Sequence, residues 1–364
     1  MFPEPAFQHG SVPKVGILLI NLGTPRAPTA TAVRPYLEEF LSDRRVVELP
    51  RVVWWPILHG FVLNRRPAQS AKKYAKIWTS EGSPLKVHTE RQANLLRGYL
   101  GEQTKYPILV EAAMRYGTPS IEHKIKKLHE QRCDRLLVIP LYPQYSASAT
   151  ASALDAVGSA LAKLRNVPAL RTVKHFHDDP GYIRALAQGI TKYWNINGRA
   201  QKLVMSFHGV PRVSLDRGDP YHCECHKTAR LLATALDLDP DQYLVSFQSR
   251  FGRQEWLKPY TMDVMRLLGG KLKRVDVVCP GFVSDCLETL EEIAIENKAV
   301  FLRAGGKAFH YIPCLNEDDA WVRGLTRLAL ENLQGWIGAD WNGEAATRLA
   351  EASQKRARAL GAKA

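Results

Sequence analysis

Short apolar runs rich in β-branched residues recur along the chain, separated by longer stretches whose apolar positions return every three or four residues. The short runs predict strands at Val15–Asn21, Pro107–Ala112, Arg135–Pro140, Leu170–His175, Leu203–Phe207, Tyr243–Phe247, Arg274–Cys279 and Ala308–Ile312. The longer stretches predict helices at Ser120–Gln131, Ala147–Leu164, Tyr182–Trp194, His226–Leu236, Leu257–Leu268, Asp285–Asn297 and Asp318–Gln334. Strands that alternate with helices make βαβ units and hence parallel sheet. VGILLIN and RLLVIPL are apolar almost without interruption, the mark of strands covered on both faces.

The eight strands divide four and four at the turn-forming segment His177–Gly181. Each half opens with an apolar strand and then a polar turn with Gly and Pro, NLGTP at 21–25 and FHGVP at 207–211. The expected class is α/β, two similar lobes with a ligand cleft between them. We expect an N-terminal lobe over 13–177, with an insertion at about 30–106. A C-terminal lobe over 178–315, a helix over 316–336 packing back on the lobes, and a basic polar tail over 337–364 complete the division. An insertion of that size usually has its own task.

Lys and Arg number 50 against 36 Asp and Glu, a net charge of +14. That excess favours anionic partners, but no nucleic-acid-binding motif is present, so nucleic acid is not expected as a partner. No G-x-G-x-x-G follows the first strand, and neither Gly-Lys pair has the upstream glycine of a phosphate-binding loop. The N-terminus reads as free of a secretory signal, and no apolar run reaches the ~18 residues of a membrane-spanning helix. Six cysteines without scaffold spacing suit a reducing cytoplasm.

Two polar groups stand where buried strands should end. His208 closes LVMSFHGVP, and Glu288 lies just beyond VVCPGF. Such a pair, converging at the edge where open α/β sheets bind ligands, could move protons or hold a metal. From the pattern alone, His208 reads equally well as a strand-end histidine satisfied by a backbone carbonyl. Asp285, Glu288, Glu292 and Glu296 follow at spacings of three, four and four, which on an α-helix places them along one stripe. The plainer alternative has Asp285 and Glu288 as a capping pair and the rest solvated. The run His222-Cys223-Glu224-Cys225-His226 looks like a metal site but lacks a Cys-x-x-Cys partner, and surface thiols at a helix start fit it as well. Val52–Leu63, with Trp54, Trp55 and flanking Arg51, Arg65 and Arg66, suits either a pocket lip or membrane contact, or a buried helix.

Several longer motifs carry a resemblance. LYPQYSASATASAL (141–154), SFHGVPRVSLDRGDPY (206–221), FQSRFGRQEWLKPYT (247–261) and PGFVSDCLETLEEI (280–293) resemble the signatures of the ferrochelatase family. ILLINLGTP (17–25) and IWTSEGSPL (77–85) are similar to that family too, so the likeness runs from about Val15 to Trp336.

The resemblance implies two Rossmann-like lobes, each a four-stranded parallel sheet flanked by helices, with a porphyrin held between them. It implies an enzyme that inserts ferrous iron into protoporphyrin IX at the last step of haem synthesis. On that reading, His208 and Glu288 are the catalytic and metal-site pair. Asp285 and Glu292 extend a proton or metal path, and Leu22, Ser83, Arg115, Tyr116 and Trp256 bind the substrate. Arg44 is a weaker candidate for a propionate contact. Iron is then a substrate, and no tightly bound cofactor is expected. The resemblance argues against the [2Fe–2S] cluster of some members, because no cysteine follows Cys314. Position 286 is cysteine where some members have histidine. A monomeric bacterial enzyme of the cytoplasm, touching the inner membrane peripherally, completes the expectation. Its alternatives are insertion of iron into coproporphyrin III, or carriage of porphyrin or haem without catalysis.

The chemistry agrees. A porphyrin is a broad apolar disc with carboxylates, so it calls for aromatic walls and basic anchors. Metallation must also remove two pyrrole protons, which a neutral histidine can accept near pH 7.

Overall fold

In the computed structural model, residues 7–250, 252, 254–338 and 340–363 are described. Two separate four-stranded parallel sheets form the framework. The first contains β1 (Lys14–Thr24), β2 (Ile108–Gly117), β3 (Cys133–Pro140) and β4 (Ala169–Thr172), in spatial order β2-β1-β3-β4. The second contains β5 (Leu203–His208), β6 (Tyr243–Gln248), β7 (Arg274–Val278) and β8 (Ala308–Tyr311), in order β6-β5-β7-β8. The spatial order is the same in both, so the second sheet repeats the connectivity of the first.

Continuous apolarity does mean two-sided burial. Val15, Ile17, Leu18, Leu19 and Ile20 of β1 are all fully buried, as the middle strand of a parallel sheet requires. All eight expected strands are present, with informative differences at their ends. β2 runs on to Gly117 instead of stopping at Ala112, and so carries Arg115 and Tyr116 to the rim. β4 stops at Thr172 rather than His175, because this edge strand pairs only with β3, and only as far as Val138.

The expected helix Asp285–Asn297 is a π-helix over Glu288–Asn297, and Asp285 lies ahead of it without capping it. The expected helix Ala147–Leu164 likewise opens as a π-turn, Ala147–Ala151, before α-helical Ser152–Leu161. The expected helix His226–Leu236 begins earlier, at Tyr221, whose N–H donates to the Asp219 carboxylate (3.0 Å). The segment between β1 and β2 folds as helices Ala30–Leu41, Arg51–Ile57, Leu63–Ile77 and Pro84–Gln103, with a π-turn at Leu58–Val62.

One apolar core joins the sheets. It includes Ile17 and Leu137 of the first, Leu203 and Phe247 of the second, and Tyr182 and Trp321 from the helices Pro180–Asn197 and Asp319–Asn332 that pack between them. The helix Gly343–Ala359 near the C-terminus buries no residue. Among the described residues, no helix is long and apolar enough to cross a membrane.

Candidate active site

His208 is the last residue of β5, at the carboxyl edge of the second sheet. Its Nδ1 lies 2.6 Å from the carbonyl oxygen of Gly209. A carbonyl can only accept, so Nδ1 carries the proton. In the neutral ring the lone pair is then on Nε2, which can take a proton or a metal. Gly209 is required by close approach: a Cβ there would stand 2.7 Å from the Gln248 carbonyl oxygen and 3.1 Å from the Trp256 ring. The carbonyl of His208 accepts from Tyr221 Oη at 2.9 Å. The histidine is therefore fixed at its backbone and at one ring nitrogen.

Glu288 opens the π-helix. Buried Gln248, at the end of β6, donates to its carbonyl (2.8 Å) and accepts from Ser206 Oγ of β5 (2.7 Å). This lacing ties the helix start to the strand that carries His208. The Glu288 charge helps raise the pKa values of Tyr36 and Tyr74 in the insertion, although burial is the larger cause for both. Glu288 thus faces the first lobe's insertion while its backbone is held by the second lobe.

Glu292 completes the group. Its carboxylate accepts from the Ser249 N–H (2.7 Å) and from Ser249 Oγ. Burial pushes its pKa up; the Ser249 bonds and the His208 imidazole pull it down, and the Glu288 charge pushes it up again. One carboxyl therefore senses both His208 and Glu288. Ser249 holds it from a left-handed backbone conformation (φ 66°) that is uncommon outside glycine.

The π winding changes what the acidic stripe does. A π-helix takes more residues per turn than an α-helix, so the spacing of three, four and four does not give one line of carboxylates. Glu296 pairs with Lys73 (2.8 Å), and buried Glu291 pairs with Lys73 (3.0 Å) and Lys76 (2.7 Å) of the helix Leu63–Ile77. Asp285 is buried and fully engaged. It accepts from Thr289 Oγ1 (3.0 Å), Tyr311 Oη (2.5 Å) and Asn316 Nδ2 (2.7 Å). It anchors the loop ahead of the helix, while Glu288 and Glu292 are the two that share surroundings with His208.

On the first lobe, Leu22 packs against the cluster of Tyr36, Tyr74 and Tyr116, which Leu287 and Leu290 join from the second lobe. Ser83 is buried and accepts from Thr24 Oγ1 (2.8 Å). Arg115 donates to the Asp43 carboxylate (2.5 Å) and to Ser152 Oγ (2.7 Å), while Tyr116 Oη donates to the same Asp43 oxygen (2.8 Å). Burial alone would raise the Asp43 pKa, but hydrogen bonds from Ser152 Oγ (2.5 Å), the Arg45 N–H (2.7 Å) and Tyr116 Oη, with the Arg115 charge, outweigh it and hold the carboxyl low. Arg44 is exposed. Trp256 is half-buried beside Gly209, and its indole N–H has no partner among the described residues.

Of the run His222–His226, Cys223 is exposed and Cys225 buried, and the His222 ring stacks on Phe247 (5.7 Å). The His222 and His226 rings lie 4.5 Å apart, but among the described residues no third ligand of the run gathers with them. Trp54 is buried and donates to the Leu41 carbonyl (2.7 Å), so it belongs to the core of the insertion. Val52, Val53, Trp55, Ile57 and Phe61 are exposed.

The family model for ferrochelatase matches residues 14–333. The chain belongs to the ferrochelatase family. Curated members of the family align over nearly the whole length. A ferrochelatase of Chromobacterium violaceum is 64% identical over 334 residues, 92% of each chain. One of Aromatoleum aromaticum is 58% identical over 99% of this chain and 98% of its own. One of Nitrosomonas europaea is 58% identical over 100% and 99%. Among solved structures, SirB from Bacillus subtilis with Fe3+ superposes with a TM-score of 0.53 at 13% identity, covering 89% of this chain and 97% of that one. That likeness establishes the shared two-lobed chelatase fold, which the paired sheets already display.

Proposed function

We propose that this member of the ferrochelatase family inserts ferrous iron into protoporphyrin IX, with His208 and Glu288 at the reacting centre. One observation carries the assignment: Gln248 bonds both the Glu288 carbonyl (2.8 Å) and Ser206 of the strand that ends in His208 (2.7 Å), so the two residues are tied to one edge of the second sheet. Iron replaces two pyrrole protons. With Nδ1 turned to the Gly209 carbonyl, Nε2 is the nitrogen by which the neutral His208 ring accepts a proton from the macrocycle. Glu288 and Glu292 offer the oxygen ligands that a hydrated ferrous ion exchanges for water. Glu292, whose pKa is raised, can also hold a proton on its way out. Leu22, Tyr36, Tyr74 and Trp256 supply apolar wall, and Ser83 and the Arg115–Asp43–Tyr116 cluster keep the rim in place.

Arg115 is already committed to Asp43, which suits a dicarboxylate porphyrin better than coproporphyrin III with its four carboxylates. The exposed apolar residues Val52, Trp55, Ile57 and Phe61, beside Arg51 and Arg65, fit peripheral contact with an anionic membrane. On this reading the chain works as a monomer in the cytoplasm, at the inner membrane.

The test is anaerobic. Purified protein is mixed with protoporphyrin IX and Fe2+ or Zn2+ while the porphyrin absorbance is followed. His208→Ala abolishes turnover, and Glu288→Gln lowers it at least ~100-fold, the low end of a lost proton-transfer contribution. Near-normal turnover in either folded variant refutes that residue's role. Porphyrin binding without any metal-dependent spectral change identifies a carrier instead. Competition between protoporphyrin IX and coproporphyrin III decides the substrate.

A further inference from the structure

Beyond β4 the chain turns away from the sheet over 173–179. Phe176 enters the core, and His175 and His177 flank it and project together, with ring centroids 4.8 Å apart. Glu224, in the first turn of the helix Tyr221–Ala235, reaches them from the other lobe. His175 Nδ1 lies 2.7 Å from Glu224 Oε1, and His177 Nδ1 lies 3.4 Å from Glu224 Oε2. The three ligand atoms all lie within 4.8 Å of one another. No other group of three or more His, Cys, Asp or Glu among the described residues is gathered in this way, the His208–Glu288–Glu292 set included.

We propose that His175, His177 and Glu224 form a second metal site, for a borderline divalent transition ion such as Zn2+ or Fe2+, that clips the two lobes together.

The independent observation is His177. It is only 5% exposed, and its Nδ1 makes no hydrogen bond. Glu224 stands near that nitrogen but off its donor line, and its Oε2 is already taken by the Tyr145 N–H at 2.7 Å. A buried imidazole nitrogen left unpaired costs about 1–3 kcal/mol; a metal would satisfy it. Metal–ligand bonds of about 2.0–2.2 Å to nitrogen and oxygen put tetrahedral donors roughly 3.4 Å apart, inside the spread seen here. Two imidazoles and one carboxylate select Zn2+ or Fe2+ over Mg2+ or Ca2+ and leave a coordination position for water. Tyr221, one turn before Glu224, donates to the His208 carbonyl (2.9 Å), so fixing this turn also steadies the catalytic histidine.

The test uses the full chain carrying His208→Ala and Glu288→Gln, so that the reacting centre does not compete for metal. Titration calorimetry with Zn2+ should find one ion per chain. Adding His175→Ala or His177→Ala should weaken binding at least tenfold. Co2+ should give visible d–d bands in the parent that are lost in the same variants. His175 is partly exposed, so His175→Ala is expected to fold; Zn2+ should raise the melting temperature of the parent and not of this variant. Absence of stoichiometric binding in the parent, or binding and Zn2+ stabilisation unchanged by His175→Ala, overturns the proposal. Both outcomes are independent of whether the chain metallates porphyrin.

Discussion

Ser249 gives the sharpest handle on how the reacting centre is tuned. Its hydroxyl and its N–H both donate to Glu292, and such bonds favour the charged carboxylate. Ser249→Ala removes the hydroxyl bond and leaves the N–H in place. A hydrogen bond to a charged group contributes about 1.5–3 kcal/mol, and 1.36 kcal/mol corresponds to about one pKa unit. The Glu292 pKa, already raised by burial, should therefore climb by a further ~1–2 units. If Glu292 must be ionised during metallation, the acid limb of the kcat/KM profile moves up by the same amount, and activity below that limb falls about 10–100-fold. Serine already bears the strain of a Cβ at φ 66°, about 1–2 kcal/mol, and alanine keeps it, so Ser249→Ala changes the hydroxyl alone. Ser249→Gly removes the same hydroxyl without that strain. Both variants are assayed for Zn2+ insertion across pH. Equal shifts in the two assign the effect to the lost bond. An unmoved acid limb in folded Ser249→Gly refutes the placing of Glu292 on the reaction path.

Glu292→Gln should show a stability signature with a definite sign. A carboxyl whose folded pKa is raised above its ordinary 4.5 favours folding below 4.5, and that contribution is lost as pH rises through the folded value. The glutamine variant should gain on the parent from pH ~4.5 upward and then level off; parallel denaturation curves across pH would contradict this. In the insertion, Trp54→Ala should cost about 3–5 kcal/mol, as for a large buried aromatic, and be read as a drop in melting temperature. Val52→Ser with Phe61→Ser should leave melting unchanged and reduce sedimentation with anionic liposomes; unaltered sedimentation removes the membrane assignment.

Much of this architecture was legible in the sequence because its signals are local. A run such as Val15–Ile20 has one physical interpretation, a strand buried on both sides, and β1 obeys it. His208 was visible because a polar ring closing an apolar run is anomalous. The acidic stripe was misleading for a physical reason. Ten residues, Glu288–Asn297, span too few turns for an apolar pattern to distinguish a π-helix from an α-helix, yet the winding separates Glu291 and Glu296, which meet lysines, from Glu292, which Ser249 holds. Tyr36 and Tyr74 escaped notice because aromatics at helical spacing are ordinarily core. Only the folded chain brings them to Glu288. Trp54 and Trp55 are adjacent in sequence and identical in type, and only helix orientation makes one core and the other surface. Glu224 stood out within its run for the wrong company: its neighbours are His175 and His177, 49 and 47 positions upstream, not the adjacent cysteines.

The apolar core that runs without a break from Ile17 to Trp321 has a bearing on how the molecule comes apart. Halves that share side chains so extensively cannot melt in succession; loss of either exposes the other's interior. Heating or denaturant should give a single all-or-none transition, unlike the stepwise behaviour of beads on a string. A fragment cut at the junction should remain unfolded by itself, however closely its sheet repeats its twin.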